Sequence, residues 1–265
     1  MNSLFDRAVD LSSILANYDG FGLLILLLVA LMILQRRLHF EIQAIFLLIT
    51  RRADLSLALF SLLFFPGVFI HEVSHFLMAR ALGVRTGKFS LLPRPLPDGK
   101  LQLGYVETAS ADVIRDSLIG VAPLLIGGIF VGYTGLVQLG LSKLWYSMSG
   151  IGLDPLIHYL TNLNNQPDFW LWFYLAFAVS STMLPSASDR KAWLPIAMVG
   201  IFLVGLALVL GAGPWLFDQL APQLNHALRI IAVVFGVSAA IHAFLLVPLL
   251  ALRLALSNLL RLRVS

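Results

Sequence analysis

Residues 55–81 read LSLALFSLLFFPGVFIHEVSHFLMARA. A membrane-spanning helix needs about 20 predominantly apolar residues, and this stretch meets that length while carrying His71, Glu72 and His75 in its second half. Ionisable groups inside a span are expensive and usually functional. On a helix, residues four apart differ by about 40° around the axis and about 6 Å along it. His71 and His75 therefore share a face and can reach one tetrahedral zinc, with Glu72 placed to act on water as a general base. The chain has six His and three Glu, so the pattern is expected by chance only about 0.0015 times at those frequencies.

The rest of the chain supports a membrane setting. Of 265 residues, 59% are hydrophobic and 12% are charged, against about 45–50% and roughly 25% in soluble domains. That excludes a soluble globule and a disordered chain. The 18 basic residues exceed the 14 acidic ones, but they flank apolar runs instead of clustering, so no nucleic-acid partner is expected. There is no cysteine, which leaves His and carboxylates as the metal ligands.

Hydropathy predicts an all-α polytopic membrane protein with about six transmembrane helices: Phe21–Gln35, Leu55–Ala81, Leu118–Leu139, Phe169–Leu184, Leu194–Gly211 and Ile230–Leu252. Leu38–Arg52 reads as an interfacial amphipathic helix. With six alternating spans the termini and even-numbered loops share one side, which holds twelve basic residues against six. This predicts that both termini and the site's side are cytoplasmic. No cleavable signal peptide is expected, and a prokaryotic plasma membrane is the expected location. The chain reads as one integral membrane domain, 1–265, with no internal repeat. The absence of a repeat counts against a transporter.

A catalytic zinc takes three protein ligands. Asp189 is the first choice for the third. It follows the fourth apolar run, in a stretch of Ser, Thr and Pro that marks unwound helix, which is tolerated at membrane depth only against a cavity or protein. The competing readings are a solvated Asp189 paired with Arg190 or Lys191, and His242 in the sixth span as the ligand instead. His158 and His226 fall on the outer side and His39 near a span end.

His71–His75 in a spanning helix, then a middle helix, then Asp189 after a Pro-containing segment, resembles the site-2 protease family of intramembrane zinc metalloproteases. The resemblance covers residues 55–191, a three-helix catalytic core flanked by N-terminal helices (1–54) and two C-terminal helices (192–265). It implies one zinc per chain held by His71, His75 and Asp189, with Glu72 as general base in hydrolysis of peptide bonds in transmembrane protein or peptide substrates. Gly83-Val84-Arg85 and Ala122-Pro123 are similar to family features as well. Ser181 stands where the family has Asn, Pro185 is one residue nearer the Asp, and Arg190 replaces a Gly. Ser180 or Ser181 is the candidate substitute for that Asn. The departures motivate an alternative: a non-proteolytic relative, a membrane binding or chaperone-like protein using the same groove. No insertion is long enough for a PDZ domain.

Thr86–Glu107 reads as a small β-hairpin after the HExxH helix. Residues 100–106 alternate, with Leu101, Leu103 and Tyr105 on one face, and Asp98-Gly99 is a turn signal. An edge strand here is a candidate for binding an extended peptide by strand addition, with Leu101, Leu103, Tyr105 and Ser181 as candidate substrate contacts. Gly127, Gly128, Gly132 and Gly135 predict close helix packing, and Arg253–Arg263 a basic helix at the lipid surface.

Overall fold

The computed structural model describes residues 11–91, 93–95, 101–141, 161 and 168–262. Helices dominate: α1 (Leu11–Thr50), α2 (Ala53–Ala81), α3 (Val113–Tyr133, continued by one π turn at Thr134–Gln138), α4 (Phe169–Ser180), α5 (Trp193–Val209) and α6 (Ala221–Leu260). Among the described residues, four stretches are long and apolar enough to cross a membrane: Tyr18–Thr50, Ala53–Ala81, Val113–Gln138 and Gly213–Leu260. Their outward residues are apolar, Leu62, Ile129 and Val247 each being at least 69% exposed. A water-facing surface rarely tolerates this, so these four helices mark a membrane protein.

The expected six spans are not met. The fourth and fifth apolar runs form helices of only 12 and 17 residues, and α5 buries none of its residues in the bundle. The expected interfacial helix is also absent. Leu38–Arg52 continues α1 without a break to Thr50, because Leu38, Glu41, Ile42, Ile45 and Leu48 are all buried. Their three- and four-residue spacing makes one inward stripe.

Contacts fix the helix directions. Ser56 Oγ donates to Gln43 O in the α1–α2 turn, so α2 runs against α1. Tyr174 Oη donates to Leu63 O at 2.9 Å, and a Cβ at Gly67 would meet Ala178 O at 2.1 Å, so α2 and α4 run together in near-backbone contact. Gly127 meets Met183 and Gly120 meets Asp189, which sets α3 against α4. Gly20 N donates to Asn225 Oδ1 at 2.7 Å, and Glu41 pairs with Arg253 near the other end, so α6 runs parallel to α1. Six alternating spans would make these two antiparallel. α1 therefore begins, and α6 ends, at opposite ends of the bundle, so these two helix ends do not share the side expected for them. Arg253 and Arg261 move to the end away from His71, and Arg229, paired with Asp19, moves to the end beside it. Arg253 packs on buried Glu41 and is no lipid-surface residue.

α2 stops at Ala81 for a local reason. Gly83 takes φ +70°, Gly83 N donates to Arg80 O, and Val84 N to Ala79 O at 2.8 Å. This is a Schellman ending, and Val84 packs on Ala79 and Ile119 beneath it. The chain then enters the predicted hairpin: β1 (Thr86–Ser90) pairs antiparallel with β4 (Tyr105–Thr108), with an irregularity between Thr86 and Phe89. Between them β2 (Arg94–Pro95) pairs with β3 (Leu101–Gln102). The single alternating strand expected over 100–106 is instead split at Leu103-Gly104. Asp98-Gly99 and the side chain of Leu101 lie outside the described residues. Close packing holds at Gly127 and Gly135, where a Cβ would meet Met183 and Val237 under 3.0 Å, whereas Gly128 and Gly132 have more room.

Candidate metal centre

α2 brings His71 and His75 onto one face, and the turn after α4 brings Asp189 against them. His71 Nε2 and His75 Nε2 are 3.2 Å apart. Asp189 Oδ1 lies 3.4 Å from His75 Nε2, and Oδ2 lies 3.7 Å from His71 Nε2. A tetrahedral ion with ligand bonds of about 2.0–2.1 Å has ligand–ligand edges of about 3.3 Å. The three side chains thus outline one face of such a tetrahedron, and this group could hold a metal ion.

The ring nitrogens pointing away from the site fix the tautomers. His71 Nδ1 is 2.7 Å from Thr182 O, and His75 Nδ1 is 2.8 Å from Ile119 O. A carbonyl only accepts, so each Nδ1 carries the proton and each Nε2 presents a lone pair. Two lone pairs and a carboxylate converge, a set that repels itself without a cation. Metal-binding His commonly donate the second ring N–H in this way.

Each of those carbonyls is free for a local reason. The helical partner of Ile119 O is the N–H of the residue four on, which is Pro123 and has none. The partner of Thr182 O is Ser186 N, which instead donates to Asp189 Oδ2 at 2.7 Å. One N–H therefore anchors Asp189 and releases the carbonyl that orients His71. Asp189 N returns to Ser186 Oγ at 3.3 Å. Arg190 donates to Ser186 O, not to Asp189.

Gly120 makes the approach possible: a Cβ there would lie 2.0 Å from Asp189 O. Glu72 is buried beneath the break between β3 and β4, where a Cβ at Gly104 would meet Glu72 Cγ at 2.9 Å. His71, Glu72, His75 and Asp189 open into one cavity of about 760 Å³, walled along one side by residues 103–110. Leu103, Tyr105 and Ser181 also line it.

His242, the competing ligand, is fully buried elsewhere, with Nδ1 2.7 Å from Ser238 O and Nε2 3.0 Å from Ser181 Oγ. His226 is exposed, His39 packs on Phe60 and Phe64, and His158 lies outside the described residues. Ser180 Oγ turns back to Phe177 O, so it does not reach the site. The roles of Ile119, Gly120, Gly104, Thr182 and Gln35 are not anticipated from sequence. Pro123, which frees a carbonyl one turn earlier, is the signal that could have found the first. No protein-family model, curated protein or solved structure matches this chain.

Proposed function

We propose that the chain is a zinc-dependent intramembrane endopeptidase of site-2 protease type. The observation that carries this reading is the convergence of His71, His75 and Asp189 at tetrahedral spacing, with both Nδ1 protons committed to carbonyls, beside buried Glu72 in one cavity. Two imidazoles and one carboxylate suit zinc and leave a coordination position open. Zinc in such a set supplies Lewis acidity toward the scissile carbonyl and toward water. Glu72 takes a proton from water as the oxygen adds to the carbonyl carbon. It then delivers that proton to the nitrogen as the C–N bond breaks. Water enters through the cavity, which also answers the cost of placing charge at membrane depth.

β4 supports an extended substrate. It pairs with β1 on one edge and runs along the cavity, where strand addition would replace the helical hydrogen bonds that a transmembrane substrate gives up. Leu103 and Tyr105 are the side chains placed to touch it. Arg80, Arg85, Lys88, Arg190 and Lys191 near the site's end support an opening toward the cytosol of a prokaryotic cell.

The test is metal content and cleavage by the full chain in detergent. About one zinc per chain, lost in His71→Ala and in Asp189→Ala, with hydrolysis of a transmembrane-peptide library lost in Glu72→Gln, is the expected result. A metal-free wild type after reconstitution with zinc would overturn the reading and favour a non-proteolytic binding protein in the same groove.

A further inference from the structure

The metal centre is braced from helices outside the core that supplies its ligands. α4 ends at Ser180, and the next two carbonyls, of Ser181 and Thr182, lack helical partners. Ser181 O would be met by the N–H of the residue four on, which is Pro185 and has none. Gln35 of α1 takes it, its Nε2 donating across 2.7 Å. The other amide atom, Gln35 Oε1, is buried without a hydrogen-bond partner, so the bond to Ser181 is the one this side chain is placed to make.

From the opposite side α6 holds the Ser181 hydroxyl. His242 Nδ1 faces Ser238 O at 2.7 Å and must donate there. Its Nε2 is then an acceptor, and Ser181 Oγ donates to it across 3.0 Å. His242 and Ser181 are 0% and 3% exposed, so the bond between them is buried. The next carbonyl along the chain is that of Thr182, which receives the His71 Nδ1 proton.

We infer that Gln35 and His242 are positioning residues for the metal centre: they clamp Ser181 from two helices and thereby fix the Thr182 carbonyl that orients His71. This rests on the metal reading above. It also assigns work to α1 and α6, which contribute no ligand.

The test uses the full chain in detergent, with Zn2+ affinity measured by chelator competition and the Co2+ absorption band as a report on ligand geometry. Gln35→Leu and Ser181→Ala are expected to weaken Zn2+ binding about tenfold, as partners of metal ligands do, and to shift the Co2+ band. His242→Leu should do the same, and His242→Gln, which restores an acceptor, should recover wild-type values. Circular dichroism selects the folded variants, and Ser181→Ala, the smallest change, serves if the others do not fold. Wild-type affinity with an unmoved band in folded Ser181→Ala and Gln35→Leu would overturn the clamp while leaving the metal reading intact. A wild-type chain that binds neither ion would overturn both.

Discussion

His75 Nδ1 lies 2.8 Å from the carbonyl of Ile119, the one carbonyl in that turn of α3 whose helical donor is replaced by Pro123. A proline that ordinarily weakens a helix interior here releases an acceptor for a metal-site imidazole. Pro123→Ala restores the N–H, which then competes with His75. The expected outcome is unchanged or raised thermal stability, since proline is the poorest helix former, together with zinc affinity lower by about tenfold or more. A melting curve and a zinc titration on the same preparation check both halves.

The backbone contact between Gly120 and Asp189 leaves no room for a methyl group. Gly120→Ala must push the third ligand away, and zinc stoichiometry should fall toward zero while helix content is kept. Gly128→Ala, whose nearest neighbour would be 3.9 Å away, should keep its zinc. Metal analysis of the pair separates loss of the ligand from a general effect of alanine in α3.

Glu72→Gln keeps size and burial but removes the base. Hydrolysis should drop by about 10²–10⁴-fold, with about one zinc retained per chain. Retained turnover in a metal-loaded Glu72→Gln preparation would show that another group moves the proton.

Gly67→Ala tests the parallel contact of α2 with α4, where the new Cβ would lie 2.1 Å from Ala178 O. Overpacking of this kind costs about 1–3 kcal/mol. It also moves Thr182 relative to His71, one turn along the same pair of helices. Both stability and zinc affinity should fall, read by unfolding in denaturing detergent and by titration.

Glu41 is 0% exposed and is shared by Arg37 and Arg253. Glu41→Ala strands Arg253, and breaking such a buried pair costs about 3–5 kcal/mol. The residues concerned lie at the end of the bundle away from Asp189. The fraction that still folds should therefore hold zinc with wild-type affinity, in contrast to Gly67→Ala.

His71, Glu72 and His75 are legible in the sequence because their chemistry is out of place in apolar surroundings, and Asp189 because it follows a Ser-, Thr- and Pro-containing break after an apolar run. The helix repeat joins His71 and His75, and only the fold brings Asp189 to them. The helices at residues 53–81 and 113–133 are legible from length and apolar content alone. What the sequence does not show is direction. The fifth apolar run is as hydrophobic as a span, yet it leaves α6 parallel to α1, and only cross-helix bonds such as Gly20 to Asn225 reveal that. Leu38–Arg52 misleads because Glu41, which looks interfacial, is internal and paired with Arg37 and Arg253. Gly67, Gly104 and Gly120 carry no local signature, because their importance lies in the distant backbone or side chain they admit.

The pairing of Glu41 with Arg253 also sets a clock. The two residues are 212 positions apart, an interval of about 10–40 s at typical synthesis rates of 5–20 residues per second. During that time the nascent chain gains His71 and His75 and then Asp189, and only near its end the helix that neutralises Glu41 and the His242 that grips Ser181. A ribosome-bound chain thus carries His71, His75 and Asp189 before it contains the α6 residue His242 that holds Ser181 beside them.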